Sequence, residues 1–368
     1  MVDVGRDPAT GKRRQKTKSG FRTKAEAERA LRDLLGRLES GNYVADSAQT
    51  LAEYLEQWLG TARPNLRPTT FGGYRRDVAN ICSKIGAVRL SELTPLQIEA
   101  AYAELMEVGG PSGRPLSAKT VRNVHTVLRR ALGDAERLGV VSRNVARLVR
   151  PPRAERHEMV TWSADDLGRF LEFVEDDRLR AAVYLLATTG MRRGEVLGLR
   201  WGDVDLDAGF LSVEQTITTV EDQILIGAVK TPRSRRRIAL DPPTVGALRR
   251  HRALQAEERL AAGELWVEGT LVFRSEDGQP LHPDRFTRRF KRLVTSAGLP
   301  ELRGPHNLRH TWATLALESG IHPKVVSERL GHAAIAITLD TYSHVVPSLD
   351  ADAANVVAAR ILSGSQAG

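Results

Sequence analysis

This chain of 368 residues has only one cysteine, and it shows no long apolar segment and no secretory signal. Its single cysteine, Cys82, excludes a disulfide scaffold and a cysteine-rich zinc module, and it fits a reducing cytosol. No apolar run approaches ~18 residues, so we expect no membrane span. The first residues, MVDVGRDPATGKRR, have no apolar core of a signal peptide. These absences predict a cytoplasmic protein without a membrane partner.

The composition is that of a folded, basic, multidomain protein. Hydrophobic residues make up 41% and charged residues 27%, which suffices for ordinary cores. At roughly 100–200 residues per domain, the length predicts two or three domains. The 54 Lys and Arg against 45 Asp and Glu give a net charge of +9, which makes nucleic acid a reasonable first partner. Charge alone does not prove DNA binding, because many basic proteins bind none.

Residues 1–45 are the most basic stretch, with eight basic and two acidic residues in the first 24. Residues 7–11, DPATG, predict a turn within a short hairpin. Thr23, with Glu26 three residues later, predicts the cap of a helix that ends at Gly41. We interpret this stretch as a small module that contacts the DNA backbone, although a solvated charge run is the usual alternative. Its candidate DNA-binding residues are Arg6, Lys12, Arg13, Arg14, Lys16 and Lys18.

Residues 48–150 predict a bundle of four helices with short connections. Leucines and aromatic residues recur at spacings of three and four. Pro68 opens the second helix, Pro95 with Thr94 as its cap opens the third, and Ser117 caps the fourth. Lys119 and Arg122, with Arg129 and Arg130, are candidates for a DNA-facing stripe, but an exposed solubilising face explains them equally well. The prolines of residues 151–157 cannot continue a helix, so this stretch predicts a linker.

Residues 158–368 predict a helical domain with a small sheet. Strands are expected at residues 210–220, 223–230 and 235–240, which are rich in Val, Ile and Thr, and at 271–273. Helical periodicity covers much of the rest.

Five short motifs in this domain carry the residues that suit chemistry on a phosphodiester. Together they supply one Lys, two Arg, two His and one Tyr, with no carboxylate cluster for Mg²⁺. Cationic side chains can stabilise a phosphate in fixed positions, and Tyr can keep the phosphoester energy in a covalent link. The motifs are TGMRRGE (189–195), Lys230, HNLRH (306–310), LGH (330–332) and DTYSH (340–344).

The order and spacing of these motifs resemble the tyrosine recombinases, in particular integrases of phages and integrative elements. TGMRRGEVLGLRWGDVD resembles the first catalytic arginine box, and Lys230 sits where the family has a β-hairpin lysine. HNLRHTWATLALESG and ERLGHAAIAITLDTYSHV resemble the second and third boxes. The resemblance implies Arg192, Lys230, His306, Arg309, His332 and Tyr342 as the catalytic set, with Glu195 in support.

The same resemblance implies a multidomain fold that is mainly α with small β elements. It assigns residues 1–45 to an arm-binding module of a β-hairpin and a helix, 48–150 to a helical core-binding domain, and 158–368 to an α+β catalytic domain with a C-terminal tail helix. The chain departs from the family where a first strand is expected before Val2, which predicts an arm module truncated at that strand.

The resemblance also implies a mechanism that uses no cofactor, ATP or metal. Tyr342 attacks the scissile phosphate and leaves a 3′-phosphotyrosine and a 5′-hydroxyl, and a partner strand reverses the step through a Holliday junction. Arg192 and Arg309 bind phosphate oxygens, His332 adds a donor, and His306 accepts the tyrosine proton because its pKa is expected near neutrality. Lys230 protonates the leaving oxygen.

The implied partners are double-stranded DNA, at core and arm sites, and three further copies of the chain in a homotetramer. The resemblance leaves open the need for a host DNA-bending protein or a directionality factor. It also implies a place at the bacterial nucleoid. An apolar face after the nucleophile packs either on its own domain or on a neighbouring protomer; its residues are Val356, Val357, Ala359, Ile361 and Leu362.

Three other functions compete with site-specific recombination. A type IB topoisomerase uses a similar residue set, but the two N-terminal DNA-binding regions argue against it. A non-catalytic DNA-binding regulator is disfavoured because every catalytic position holds a suitable residue. A zinc hydrolase can use His306 and His310, which are four residues apart, but Asn307 stands where such enzymes need Glu.

Overall fold

The computed structural model describes residues 2–6, 13–17, 19–39, 48–155, 159–229, 234–342, 358 and 361–362. The chain divides into two compact units, Met1–Arg156 and His157–Gly368. The division falls inside the stretch 151–157, where two prolines prevent a continuous helix. No helix within the described ranges has the length and apolar character needed to cross a bilayer.

A two-stranded sheet and one helix begin the first unit. Strand β1 (Val2–Arg6) pairs antiparallel with β2 (Arg13–Lys16), and helix α1 spans Lys24–Glu39. The Thr23 hydroxyl accepts a hydrogen bond from the Glu26 amide at 3.2 Å, as the sequence predicts. The predicted turn at residues 7–11 lies outside the described residues.

Four helices form the rest of this unit, in agreement with the predicted bundle. Side-chain caps from Thr50, Thr94 and Ser117 begin three of them. Tyr54 and Trp58 lie in the core and direct their polar atoms to the Ala131 carbonyl and to Asp134, at 2.8 Å each. The helices are α2 (Leu51–Ala62), α3 (Pro68–Ile85), α4 (Pro95–Glu107) and α5 (Ala118–Arg137).

The second unit is a helical domain around one large apolar core. Phe170, Phe273, Phe286 and Phe290 are among the largest fully buried side chains in that core. The helices of its described residues are α6 (Ala164–Phe173), α7 (Arg180–Thr189), α8 (Arg193–Leu197), α9 (Pro242–Ala262), α10 (Pro283–Ser296), α11 (His306–Glu318), α12 (Pro323–Leu330) and α13 (Ile335–Thr341).

Five short strands form two antiparallel sheets beside this core. The strands are β3 (Val204–Asp205), β4 (Phe210–Val213), β5 (Gln215–Val220), β6 (Gln223–Ala228) and β7 (Arg236–Ala239). One sheet has the order β3-β4-β7, and the other is the β5-β6 hairpin. Glu221 and Asp222 at the hairpin tip both have positive φ, as a two-residue turn of type I′ requires.

Two strand predictions differ from the structure. The strand predicted at residues 210–220 is two strands, β4 and β5, which change sheet at Glu214. Leu211, Val213 and Ile217 are all buried and share one parity, although Gln215 between them is only half-buried, so the buried side chains do not mark the change of partner. The predicted strand 271–273 is a single bridge between Leu271 and Arg200, and its three residues are all buried.

Candidate active site

The first arginine of the site lies at a helix start that a glycine makes possible. Helix α7 ends at Gly190, whose φ of 65° is left-handed, and Arg192 is the extended residue before α8. Glu195 in the first turn of α8 accepts the Arg192 amide at 3.0 Å and its Nη1 at 2.7 Å. These contacts fix the backbone and the guanidinium of Arg192 together.

A second arginine, Arg236 on β7, holds the same carboxylate. Its Nη2 donates to Glu195 at 2.8 Å, its Nη1 reaches the other carboxylate oxygen at 3.3 Å, and its Nε donates to the Arg329 carbonyl at 2.6 Å. Both side chains are buried. Burial by itself raises the pKa of Glu195, but the bonds and charges of Arg236 and Arg192 outweigh it and lower that pKa. Glu195 is therefore an ionised, doubly paired support for Arg192.

Two glycines that end helices each give a carbonyl to one arginine of the site. Arg309 Nη1 donates to the Gly190 carbonyl at 2.9 Å, and Arg192 Nη2 lies 3.3 Å from the Gly331 carbonyl. Gly331 also has a left-handed φ of 68°. A Cβ at Gly190 would lie 2.7 Å from a Leu330 methyl group, so this close approach requires glycine.

Arg309 is an almost completely buried cation, and not all of its hydrogen-bond donors are used by the described residues. Its exposed fraction is 2%, and its Nη2 has no hydrogen-bond partner among the described residues. Burial and the charge of Arg192 lower the pKa of Arg309 to about 9, so it is still a cation at neutral pH. An orphaned guanidinium donor beside a second arginine is a site built for an anion.

The tyrosine of the third box is buried against the same helix as Arg309. Tyr342 follows α13, has an exposed fraction of 1%, and packs in a small core with Leu317, Val326 and Leu330. Its hydroxyl lies 2.9 Å from Nδ1 of His310. Burial raises the pKa of Tyr342 to about 12 although the charge of Arg309 opposes this, so the phenol keeps its proton until a base removes it.

The other two histidines of the predicted set flank these groups. The His306 ring packs edge-to-face on His310 with 4.8 Å between centroids, and His332 Nδ1 lies 2.8 Å from the Thr338 hydroxyl. Loss of hydration and neighbouring positive charges, with Arg309 among them, lower the pKa of both His306 and His332 to about 4. The expected near-neutral pKa of His306 is therefore corrected, because burial, together with the neighbouring positive charges, disfavours its protonated form.

The surroundings do not favour the zinc alternative. Asn307 donates its side-chain amide to the Val160 carbonyl at 2.8 Å. Within the described ranges, no group of three or more His, Cys, Asp or Glu is arranged to hold a metal ion.

The structure thus brings together six of the seven residues predicted for the active site: Arg192, Glu195, His306, Arg309, His332 and Tyr342. The seventh, Lys230, lies outside the described residues. The tail face is mostly outside them as well, since only Ile361 and Leu362 of its five residues are described, and both are exposed.

The residues predicted to bind DNA elsewhere belong to the first unit. Lys119 and Arg122 are exposed on α5, and Arg13 is exposed on β2. Arg6 lies on β1, and Arg14 and Lys16 lie on β2, whereas Lys12 and Lys18 are outside the described residues.

A groove of about 550 Å³ on α5 adds to this basic surface. Arg130 in the groove donates to the Tyr74 hydroxyl at 2.7 Å, which fixes its position. The groove is lined by His125, Thr126, Arg129, Arg130, Gly133, Asp134, Arg137 and Arg147.

Sequence reasoning missed Arg236 and gave His310 no part in a recombinase site. Arg236 is hidden in a run of three arginines, although it shares strand parity with the buried Ile238, which marks it as inward-facing. His310 was considered only as a zinc ligand. Its contact with Tyr342 joins residues 32 positions apart, so no local pattern reveals it.

Models of known protein families match three parts of this chain. Residues 161–348 match the phage integrase family, residues 1–38 an arm DNA-binding domain, and residues 50–106 the N-terminal SAM-like domain of phage integrases. A XerC-like tyrosine recombinase of Caldanaerobacter subterraneus subsp. tengcongensis is 31% identical, covering 94% of this chain and 92% of that protein. An integrase of Streptomyces ambofaciens is 30% identical, covering 93% and 87%.

Solved structures share the fold. The Tn1549 transposon integrase, in complex with a circular intermediate DNA, superposes with a TM-score of 0.69 at 21% identity, covering 80% of this chain and 95% of that one. A lambda integrase from a tetramer bound to a Holliday junction gives a TM-score of 0.59 at 22% identity, covering 91% and 90%. This chain therefore belongs to the phage integrase family of tyrosine recombinases.

Proposed function

We propose that this enzyme cuts and rejoins DNA strands at specific sites through a 3′-phosphotyrosyl link to Tyr342, and so integrates or excises a mobile element. The observation that carries the proposal is the buried Nη2 of Arg309, which has no hydrogen-bond partner in the part of the chain that the structure describes, in one site with Arg192 and a hydrogen-bonded Tyr342 hydroxyl. Anion-binding donors and an oxygen nucleophile in one site suit transfer of a phosphodiester.

The described contacts support a separate role for each group. Arg192 and Arg309 each use part of their guanidinium on protein carbonyls or Glu195, and their other donors are directed to the phosphate. His332, fixed by Thr338, adds a donor on the same oxygens. Lys230 protonates the leaving 5′-oxygen, and His306 contributes to proton transfer. The ester retains the bond energy, so the cycle needs neither ATP nor a metal cofactor.

Strand exchange requires partner DNA and further protomers. We propose that core-type DNA lies on the basic α5 surface that includes Lys119 and Arg122, and that the basic hairpin contacts arm-type DNA. Four protomers assemble on two sites and pass through a Holliday junction, as the lambda integrase tetramer bound to a Holliday junction suggests by analogy. The enzyme acts at the nucleoid of a bacterial host.

Replacement of the nucleophile tests the proposal. The Tyr342→Phe variant retains the ring that packs in the small core, so we expect normal DNA binding and no covalent adduct on DNA that flanks the gene of this enzyme. Covalent adducts formed by this variant would refute the assignment. A two-site recombination assay next to a supercoil-relaxation assay separates a recombinase from a topoisomerase.

A further inference from the structure

The hydroxyl of Tyr342 contacts a histidine that the proposed catalytic set does not include. His310 Nδ1 lies 2.9 Å from the Tyr342 hydroxyl, within hydrogen-bond distance. His306, which the sequence analysis assigns to the tyrosine proton, packs against the His310 ring instead, with the two rings nearly perpendicular. The two histidines and the tyrosine form a row in which His310 is the central member.

The surroundings of His310 keep it able to accept a proton. Burial and the charge of Arg309 lower the pKa of His310, so its ring is neutral at physiological pH. In a neutral ring with an unprotonated Nδ1, that nitrogen accepts the hydrogen bond that the phenol donates. The charged and titratable groups around it are His306 and Arg309 on the same helix, Tyr342 after α13, and His332 between α12 and α13.

We propose that His310 is a catalytic residue: its Nδ1 takes the phenolic proton as the Tyr342 oxygen bonds to phosphorus. This inference rests on the proposed phosphotyrosyl function. In the step, the bond between the tyrosine oxygen and phosphorus forms and the bond between phosphorus and the 5′-oxygen breaks. The phenolic proton moves to His310, and the leaving oxygen receives its proton from Lys230. Resealing returns the proton from His310 to the phenol.

Burial of the nucleophile explains why a dedicated base is required. Tyr342 has an exposed fraction of 1%, so water does not reach its hydroxyl, and its pKa is raised to about 12. The scissile phosphate therefore reaches the hydroxyl only when DNA binding moves the residues that cover it. A base in direct contact removes the proton without bulk water, and general-base catalysis commonly contributes about 10²–10⁴-fold in rate.

The test compares two substitutions of His310 in single-turnover adduct formation. The substrate is a DNA duplex that contains a cleavage site mapped with the unmodified enzyme. His310→Asn keeps an oxygen that accepts the phenol hydrogen bond but has no basic nitrogen, whereas His310→Ala removes both. We expect each variant to form adducts at least about 100-fold more slowly, since proton transfer is lost in both. Their rates should rise about tenfold per pH unit, because the ionised fraction of Tyr342 grows tenfold per unit below its raised pKa.

A modified substrate shows whether His310 acts on the nucleophile or on the leaving group. In this substrate sulfur replaces the bridging 5′-oxygen, and the sulfur leaves as a thiolate that needs no proton. We expect this substrate to restore Lys230→Ala and to leave both His310 variants slow. His322→Asn is the matched control, because His322 is an exposed histidine that caps α12 through its Nδ1, a role that asparagine also fulfils.

Several results would overturn the proposal. A wild-type rate for His310→Asn would mean that the hydrogen bond alone matters. A faster rate for His310→Ala would mean that His310 only holds the tyrosine in its buried position. Rescue of the His310 variants by the sulfur substrate would place His310 at the leaving group. Adducts from Tyr342→Phe would instead refute the proposed function itself, so the two failures are distinguishable.

Discussion

Replacing Arg236 with methionine removes the buried support of the first catalytic arginine. Arg236 donates to both oxygens of Glu195, to the Arg329 carbonyl and to the Ser234 carbonyl, the last at 3.1 Å. The side chains of Arg236 and Glu195 are 7% and 3% exposed, so water does not replace the lost donors. Removing one partner of a buried ion pair commonly costs about 3–5 kcal/mol, and we expect Arg236→Met to lower the free energy of unfolding by that amount.

The pH dependence of this loss of stability follows from the ionisation of the Glu195 carboxyl group. In the unmodified enzyme the lowered pKa of Glu195 stabilises the fold above the ordinary value of 4.5, and this contribution is lost as the pH falls through the folded-state pKa. Without Arg236 two of the contributions that lower this pKa are lost, so the pKa of Glu195 in the folded variant is higher than in the unmodified enzyme. The destabilisation of Arg236→Met is therefore full above that higher pKa and diminishes as the pH falls through it, because the buried carboxyl group of the variant becomes neutral.

Urea unfolding followed by tryptophan fluorescence measures these free energies. A double-mutant cycle with Glu195→Gln provides the control, and we expect the double variant to be more stable than the sum of the two losses predicts. Adduct formation should also be slower in Arg236→Met, because Glu195 no longer holds Arg192 in place. A loss below about 0.5 kcal/mol, as for surface substitutions, would refute the role given to Arg236.

Two further predictions concern the cations and histidines of the site. Arg192→Lys should slow adduct formation about 10²–10³-fold with little loss of DNA affinity, because lysine cannot contact Glu195, Gly331 and a phosphate together. Single-turnover kinetics measures the rate. The control is Arg193→Lys, at an arginine that contacts α10, and an equal loss of rate in that variant would contradict the prediction. A bound phosphate should raise the lowered pKa values of His306 and His332, so DNA binding should take up protons and tighten as the pH falls toward about 4, the pKa of both groups in the free enzyme. Calorimetry in buffers of different ionisation enthalpy measures the uptake, and proton release would contradict it.

Local chemistry explains which parts of the fold are predictable from the sequence. Caps such as Thr50, Thr94 and Ser117 act within four residues, so the bundle helices begin where the sequence indicates. The change of sheet at Glu214 is invisible in the sequence, because the buried residues Leu211, Val213 and Ile217 keep one parity on both sides of it. Strand pairing depends on distant partners that a single pattern does not encode.

The active site likewise has contacts that the sequence predicts and contacts that it does not predict. Arg192 and Glu195 meet because both belong to one helix start, three residues apart, and the box that contains them indicates this. The contacts of Arg236 with Glu195 and of His310 with Tyr342 join separate elements, and they exist only after the domain has folded. The burial of Tyr342 and the lowered histidine pKa values also come from tertiary packing, so composition and spacing do not predict them.

Identification of the amino acid and the nucleotide joined in a trapped adduct tests the central claim most directly. The enzyme is incubated with DNA that flanks its own gene, the adduct is digested, and mass spectrometry and sequencing locate the link. The account predicts a bond between the Tyr342 hydroxyl and a 3′-phosphate at one defined nucleotide. A link through another residue, a link to a 5′-phosphate, or adducts scattered without a preferred nucleotide would contradict it.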